Sequence, residues 1–159
     1  MRALLGIDRP TSGRVVPGSS FTPLYSDQER DVLDPQKSVL DCVVGDVDWV
    51  RVNGERISIR AYMRRFLFDD LTMARPVALL SGGERNRVLL ARLIRQGGNV
   101  AVLDEPTNDL DLQTLRVLED AILEFDGAAL LISHDRYFLD RIATRILWIE
   151  GDGQVHEIA

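Results

Sequence analysis

Two short apolar runs constrain the fold of this chain more than any other feature. Residues 100–103 and 128–132 are wholly apolar, which is typical of strands buried on both faces inside a parallel sheet. Between them, Leu115, Leu118 and Ile122 recur at the spacing of one helix face. A strand, a helix and a second strand in this order predict an α/β fold with a parallel sheet flanked by helices.

Periodicity and turn residues predict the other elements. The spacing of Ile59, Tyr62, Met63 and Phe66 indicates a buried helical stripe, so a helical segment is expected within residues 35–79. The remaining predictions are the last turns of a helix at 1–6, strands at 14–16 and 21–25, helices at 81–96, 112–125 and 135–143, and a terminal hairpin of 145–149 with 154–158.

Composition narrows the class of protein. The chain has 159 residues, the size of one domain, and a net charge of −6, so the whole molecule is not an electrostatic match for nucleic acid or an anionic membrane. A single cysteine, Cys42, allows no internal disulfide, fits a reducing cytoplasm and is predicted to be a core residue. No apolar run approaches the roughly 18 residues of a membrane-spanning helix.

Asp104 and Glu105 directly follow the first apolar strand. Ligands of open α/β sheets bind beyond the carboxyl ends of the strands. At that place Asp104 is predicted to hold Mg²⁺, often through water, while Glu105 orients or deprotonates an attacking water. The alternative is a pair of surface acids that cap the next helix.

Residues 80–84, LSGGE, open the helix predicted at 81–96. Ser81 and Glu84 form the S-x-x-E pattern of a capping box, which is by itself a structural reason for both. Gly82 and Gly83 each weaken a first turn by roughly 1 kcal/mol relative to alanine. Because bare N–H groups at a helix N-terminus attract anions, the glycines favour a phosphate site.

Two further polar residues stand beside predicted strand ends. His134 follows the strand at 128–132, one strand end away from Asp104, and is predicted to hydrogen-bond a phosphate; a structural role is the alternative. Gln28 follows the strand at 21–25, where its amide oxygen can reach a metal or a water. Gln28 alone carries little information.

Taken together, these motifs resemble an ATP-binding cassette (ABC) ATPase. Gln28, LSGGE, VAVLDE, NDLD and SHD occur in the order of that superfamily. The stretches LSGGERNRVLLARL, LDEPTNDLD and SHDRYFLDRIAT are similar to the ABC-F family, whose members carry two cassettes on one chain and act on ribosomes. The resemblance implies a partial P-loop NTPase fold with a helical subdomain insertion, similar to the second cassette and divided as 1–34, 35–79 and 80–159.

The resemblance also implies a role for each matched residue. Asp104 resembles the Walker B aspartate and Gln28 the Q-loop glutamine, which are ligands of Mg²⁺ in the family. Glu105 resembles the general base and His134 the switch histidine, which are catalytic residues in the family. The signature motif, which contacts the γ-phosphate of ATP across a dimer interface, corresponds to Ser81, Gly82, Gly83 and Glu84. The loop that joins the two sites of the dimer corresponds to Asn108 through Asp111, and Asn108 and Asp111 are expected to bind the cofactor.

One family element is missing from the sequence. A P-loop has the pattern G-x-x-x-x-G-K-[ST], but the only lysine, Lys37, has no glycine nearby. The first residues resemble the helix end and turn that come directly after a P-loop, so Met1 is expected to fall a few residues after the missing lysine. Losing about four charged hydrogen bonds of roughly 1.5 kcal/mol or more each would weaken a micromolar site to tens of millimolar. The chain alone is therefore predicted neither to bind ATP and Mg²⁺ tightly nor to hydrolyse ATP.

The sequence leaves several functions and partners open. One is a cytoplasmic ABC-F ATPase whose upstream cassette parts lie elsewhere, a second is a binding module that lends its signature motif to a second cassette, and a third is an ABC transporter subunit. A fourth is contact with a ribosome or RNA through a cluster of arginines whose charge only Glu55 offsets: Arg51, Arg56, Arg60, Arg64 and Arg65. The alternative for this cluster is a solvated helix face. Strands 100–103 and 128–132 are each expected to lack a neighbour, so self-association through an exposed sheet edge is predicted.

Overall fold

The computed structural model describes residues 1–25, 33–44, 47–52, 54–108, 110–151 and 153–158. Gln28 lies outside the described residues, so its predicted metal role stays a prediction. In chain order the strands are β1 (Pro23–Tyr25), β2 (Trp49–Val52), β3 (Glu55–Ser58), β4 (Val100–Asp104), β5 (Ala128–Ile132), β6 (Ile146–Ile149) and β7 (Val155–Ile158). The helices are α1 (Val39–Val44), α2 (Ile59–Arg65), α3 (Asp70–Met73), α4 (Gly82–Arg95), α5 (Leu112–Leu123) and α6 (Arg136–Ile142), with a 3-10 turn at Val77–Leu79.

Strands β1, β4 and β5 form one parallel sheet in that order. In register, Leu24 of β1 lies opposite Ala101 of β4, and Val102 of β4 lies opposite Leu130 of β5. Helices α4 and α5 occupy the connections into β4 and β5, as parallel neighbours require. The predicted α/β fold with a parallel sheet flanked by helices is confirmed.

The neighbours of the central strand correct one prediction. β4 has a partner on each side and its middle residues are buried, so residues 100–103 do not lack a neighbour. Among the described residues β5 pairs only with β4, and its first residues, Ala128 and Ala129, are exposed. β5 is therefore a half-buried edge strand rather than a strand buried on both faces, because no described strand covers its outer side.

The N-terminal segment departs most from the prediction. Residues 6–20 are exposed throughout, and residues 14–16 do not form a strand. Val16 is 73% exposed and is followed by Pro17-Gly18, which interrupts a strand because proline donates no ladder hydrogen bond. Residues 1–6 form hydrogen-bonded turns rather than the end of a helix.

The other predicted helices form with small changes of boundary. α5 ends at Leu123 rather than at residue 125, and α2 carries the predicted buried stripe. On α4 the buried face contains Val88, Ala91 and Leu93, whereas Leu89 is only partly buried. Among the described residues, none of the helices combines the length and the apolar character that a bilayer crossing requires.

Two apolar clusters hold these elements together. One packs α1, α2 and α3 against α4 and contains Met63 and Phe68, with Cys42 partly buried beside it as the sequence predicts. The other joins the sheet to α4, α5 and α6 and contains Leu24 and Phe138. Fully burying a side chain of this size contributes roughly 1.5–3 kcal/mol. The second cluster fixes the carboxyl ends of β4 and β5 relative to the flanking helices.

Candidate functional site

Asp104 and Glu105 lie at the carboxyl end of β4, beside the end of β5. Asp104 is exposed, whereas Glu105 is partly buried. The N–H of Glu105 donates to the carbonyl of Ile132 at 2.8 Å, which fixes its backbone across the two strand ends. Its φ is +46°, a left-handed conformation that costs a non-glycine residue about 1–3 kcal/mol. The carboxylate is thus held in place against the local backbone preference.

The structure brings the two predicted catalytic residues together. The backbone N–H of His134 donates to Oε2 of Glu105 at 3.4 Å, and Nε2 of the imidazole lies 3.3 Å from Oε1. The imidazole side chain is 96% exposed, while that of Glu105 is 24% exposed. Oε1 of Glu105 is buried yet accepts no hydrogen bond of good geometry from the described residues. A buried carboxylate oxygen without a donor is a group that a water molecule would satisfy.

Two hydroxyl residues that the sequence analysis did not assign to the site tie the loops after β4 and β5 together. Oγ1 of Thr107 and Oγ of Ser133 lie 3.3 Å apart, and Ser133 also accepts the N–H of Asp135 at 3.1 Å. The N–H of Asn108 donates to the carbonyl of Glu105 at 3.2 Å. The two loops are therefore cross-linked. The only sequence signal for Thr107 and Ser133 was their position beside the acid pair and the histidine.

Ser81 and Glu84 form the predicted capping box at the start of α4. Oγ of Ser81 accepts the N–H of Glu84 at 3.3 Å, while Oε2 of Glu84 accepts the N–H of Ser81 at 2.7 Å and its hydroxyl at 2.8 Å. These hydrogen bonds from Ser81 lower the pKa of Glu84. The structural reason for both side chains is confirmed, while their predicted role at a phosphate stays a prediction.

The two glycines of the same turn have different surroundings. A Cβ on Gly82 would meet nothing within 4 Å, so the helix start is open at this position. A Cβ on Gly83 would collide with Oδ2 of Asp111 and crowd Oγ1 of Thr114. Gly83 therefore has a packing reason that the sequence analysis did not identify, because a side chain at this position would displace Asp111 from the start of α5.

Asp111, predicted to bind the cofactor, is the N-cap of α5 and lies against the signature turn. It accepts the N–H of Thr114 at 2.8 Å and its hydroxyl at 3.0 Å, and the bond from this N–H is the main cause of the lowered pKa of Asp111. Arg87 is buried in the same cluster, 3.1 Å from Oγ1 of Thr114 and 5.7 Å from the ring centroid of Phe68. No sequence pattern indicated these contacts, since an arginine in a helix usually faces solvent.

The predicted residues thus fall into two groups. Glu105 and His134, with Asp104 adjacent in the chain, lie at the ends of β4 and β5, whereas Ser81 through Glu84 lie with Asp111 between α4 and α5. As far as the structure describes the chain, no three His, Cys, Asp or Glu side chains are placed to hold a metal by themselves. The adjacent carboxylates of Asp104 and Glu105 still fit Mg²⁺, because proteins usually hold this ion by one or two carboxylates while waters and phosphate oxygens complete its shell.

This arrangement of strand-end acids and a glycine-rich helix start belongs to the class of P-loop-type ATPase domains. The family model described as "ABC transporter" matches residues 1–108, which include the signature turn and the acid pair. The chain therefore belongs to the ATP-binding cassette family, as the motifs predict, and its relatives place it in the ABC-F group.

The similarity to known relatives extends over nearly all of this chain. The energy-dependent translational throttle protein EttA of Escherichia coli (strain K12) is 47% identical over 154 residues, which are 97% of this chain and 28% of the relative. The corresponding protein of Mycobacterium tuberculosis (strain H37Rv) is 46% identical over 151 residues, or 95% and 27%. The ATP-binding protein Uup-like of Haemophilus influenzae is 42% identical over 157 residues, or 99% and 34%. The chain thus spans about a third or less of the length of these relatives.

A solved structure supports the fold independently. The crystal structure of the complex of the archaeal ribosomal stalk protein aP1 with the archaeal ribosome recycling factor aABCE1 matches this chain with a TM-score of 0.64. The match has 23% sequence identity and covers 98% of this chain and 30% of the other. At this identity the likeness shows the fold alone.

Proposed function

We propose that this chain forms the water-activating part of an ABC-F-type ATPase site. The observation that carries the proposal is the position of Glu105, whose buried Oε1 accepts no hydrogen bond of good geometry from the described residues and lies 3.3 Å from Nε2 of His134. In this geometry Oε1 can accept a proton from a water molecule, which is the task of a general base. The imidazole side chain is 96% exposed, so a phosphate oxygen can reach it for a hydrogen bond.

The metal and the triphosphate need further groups. Bound Mg²⁺ would neutralise phosphate oxygens, with Asp104 and Gln28 as its proposed protein ligands. Asp104 is exposed at the end of β4, where an ion can reach it. The pattern G-x-x-x-x-G-K-[ST] does not occur in the sequence, so the proposal requires another segment to supply the amides and the lysine that hold the triphosphate.

A second proposed role concerns the signature turn. Gly82 leaves the first turn of α4 open, and the N–H groups of such a turn attract phosphate. Gly83 and Asp111 pack tightly, which supports the turn in one position. We propose that residues 81–84 complete the P-loop site of a second cassette. An ABC transporter subunit receives no comparable support from the relatives named above.

Exchange of the matched segment in Escherichia coli EttA for this chain tests both roles. We expect the chimera to hydrolyse ATP, and Glu105→Gln to lower its turnover by about 10² or more without loss of ATP binding, because the amide cannot accept a proton. Ser81→Arg should also lower turnover, since it blocks the helix start. Phosphate release and nucleotide binding are the measurements.

The matched control for this experiment is Glu55→Gln, which changes an exposed acid away from both groups. Its chimera is expected to turn over at the parental rate. A folded chimera that binds ATP and hydrolyses it equally fast with and without Glu105→Gln would remove the proposed role of Glu105. The same result with Ser81→Arg would remove the role of the signature turn.

We further propose that the chain acts in the cytoplasm on ribosomes. The support is indirect: one group of relatives is named for translational throttling, and the structural neighbour is named as a ribosome recycling factor. These names describe those proteins. The intact protein would pair two cassettes, and the ribosome would be its partner.

Self-association through the open side of β5 is also proposed. Ala128 and Ala129 are exposed on this edge strand, and the β6–β7 hairpin exposes Trp148 and Ile149. Unpaired edges and exposed apolar side chains favour pairing between copies.

We expect light scattering to show concentration-dependent oligomers, which Ala129→Lys should reduce by placing a charge on the edge. Leu71→Lys on α3, where Leu71 is 81% exposed, is the matched control, and a clean monomer at high concentration would contradict the proposal.

A further inference from the structure

Three of the five arginines predicted to form one basic cluster are neutralised. Two of them bind Asp70 and the third binds Glu124: Arg60 at 3.0 Å, Arg64 at 2.9 Å and Arg65 at 2.7 Å. The expectation that only Glu55 opposes this cluster is therefore wrong, because Asp70 and Glu124 reach it from later elements of the chain. What remains is a pair of arginines on the β2–β3 hairpin.

Arg51 and Arg56 face each other across this hairpin. They are direct partners in the antiparallel register, and Trp49 lies on the same face two residues before Arg51, while Val50 is buried on the other face. Neither arginine forms an ion pair with the described residues, in contrast to the three arginines of α2. Like charges directly opposite each other destabilise a strand pair, so the pairing of Arg51 with Arg56 weakens the hairpin.

Trp49 adds an aromatic surface to the same face. Its side chain is 50% exposed, and the guanidinium of Arg56 lies 4.9 Å from its ring centroid. Guanidinium groups bind phosphate through two parallel hydrogen bonds, and exposed aromatic rings stack on nucleobases. Gly54, with a φ of +79°, closes the tight turn beside these residues, so the hairpin presents them from a fixed scaffold.

We propose that Trp49, Arg51 and Arg56 form a binding surface for single-stranded RNA, with the two guanidinium groups on the phosphate and the tryptophan ring on a base. Guanidinium groups bind carboxylate and phosphate alike, so the group that favours a nucleotide over an acidic peptide is the ring of Trp49, which can stack on a base. Arg51 also lines a neighbouring cavity of 420 Å³ whose wall contains Asp120, Glu124 and Asp126, and these acids disfavour phosphate inside the cavity. The surface lies outside the ATPase residues, and only the choice of RNA over DNA rests on the proposed translational role.

The intrinsic fluorescence of Trp49 tests this proposal directly. Trp148 is the only other tryptophan, so Trp148→Phe leaves a single reporter. Titration with a uridylate dodecamer is expected to quench this emission, with a dissociation constant that rises steeply with salt. The double variant Arg51→Gln, Arg56→Gln should weaken binding about tenfold or more and lower the salt slope by about two.

A second double variant separates the site from net charge. Arg9→Gln with Arg14→Gln removes the same charge from an exposed part of the chain and should leave the affinity nearly unchanged. Equal weakening by the two double variants would overturn the proposal. Equal affinity for a polyglutamate peptide, lost in the hairpin variant, would also overturn it and assign the face to an acidic protein.

Two controls accompany this titration: each variant is checked for folding, and ATP is left out. Circular dichroism melting of each variant verifies that it remains folded before its titration is compared. Because no ATP is present, failure of RNA binding leaves the ATPase proposal standing. Failure of the EttA chimera to hydrolyse ATP likewise does not alter the fluorescence titration.

Discussion

Calorimetric titration of the 159-residue chain with Mg-ATP is expected to show no saturation in the micromolar range. The P-loop amides and lysine would contribute about four charge-assisted hydrogen bonds, each worth roughly 1.5 kcal/mol or more. Removing about 6 kcal/mol from a site near −8 kcal/mol leaves a dissociation constant of roughly tens of millimolar. Glu105, His134 and Asp104, the groups proposed to act in hydrolysis, would then have no tightly bound nucleotide.

The EttA chimera is the matched control for this titration, because it contains the same site residues together with the remaining EttA segments, which are expected to supply a P-loop. It should bind Mg-ATP with micromolar affinity under identical conditions. Micromolar saturation by the chain alone would show that its own residues form a different phosphate cradle. In that case the dependence on an external P-loop would be wrong.

Replacement of Gly83 by alanine should destabilise the chain far more than the same change at Gly82. The new methyl group at residue 83 would collide with Oδ2 of Asp111, which cannot withdraw without releasing its two hydrogen bonds to Thr114. Overpacking costs about 1–3 kcal/mol, and loss of an N-cap about 1 kcal/mol more. Gly82→Ala places its methyl group in open space and gains up to roughly 1 kcal/mol of helix propensity.

Urea unfolding followed by circular dichroism measures both free energies on the same chain. Equal effects of the two substitutions would contradict the packing at Gly83. In the EttA chimera, the same two substitutions also distinguish an effect on stability from an effect on ATP turnover. If Gly82 serves the approach of phosphate, Gly82→Ala lowers turnover while the free energy of unfolding is unchanged or raised.

Much of the fold can be predicted from short-range pattern. The apolar runs that became β4 and β5, the amphipathic spacing of α5 and the capping box of Ser81 are local signals, and each predicted its element. The pairing of Glu105 with His134 was also accessible, because carboxyl ends of neighbouring parallel strands meet at one edge of the sheet. The failed strand at 14–16 had local β-propensity but no neighbour to pair with.

The contacts that the sequence did not reveal join residues far apart along the chain. The buried Arg87 meets Thr114 across 27 positions, and Arg65 meets Glu124 across 59. The reason for Gly83 lies in Asp111, on another helix. Charge and helix periodicity describe each residue separately. They therefore predict neither the burial of Arg87 nor the ion pair of Arg65, which depend on how the elements pack.

The left-handed backbone of Glu105 has an evolutionary consequence. At a φ of +46° glycine is free of the steric penalty that glutamate bears, so random substitution combined with selection for stability alone would favour glycine here. A gene copy released from selection for chemistry would be expected to lose this acid early. Under the proposed role of Glu105 as the general base, the chemical gain from its carboxylate outweighs this steric penalty.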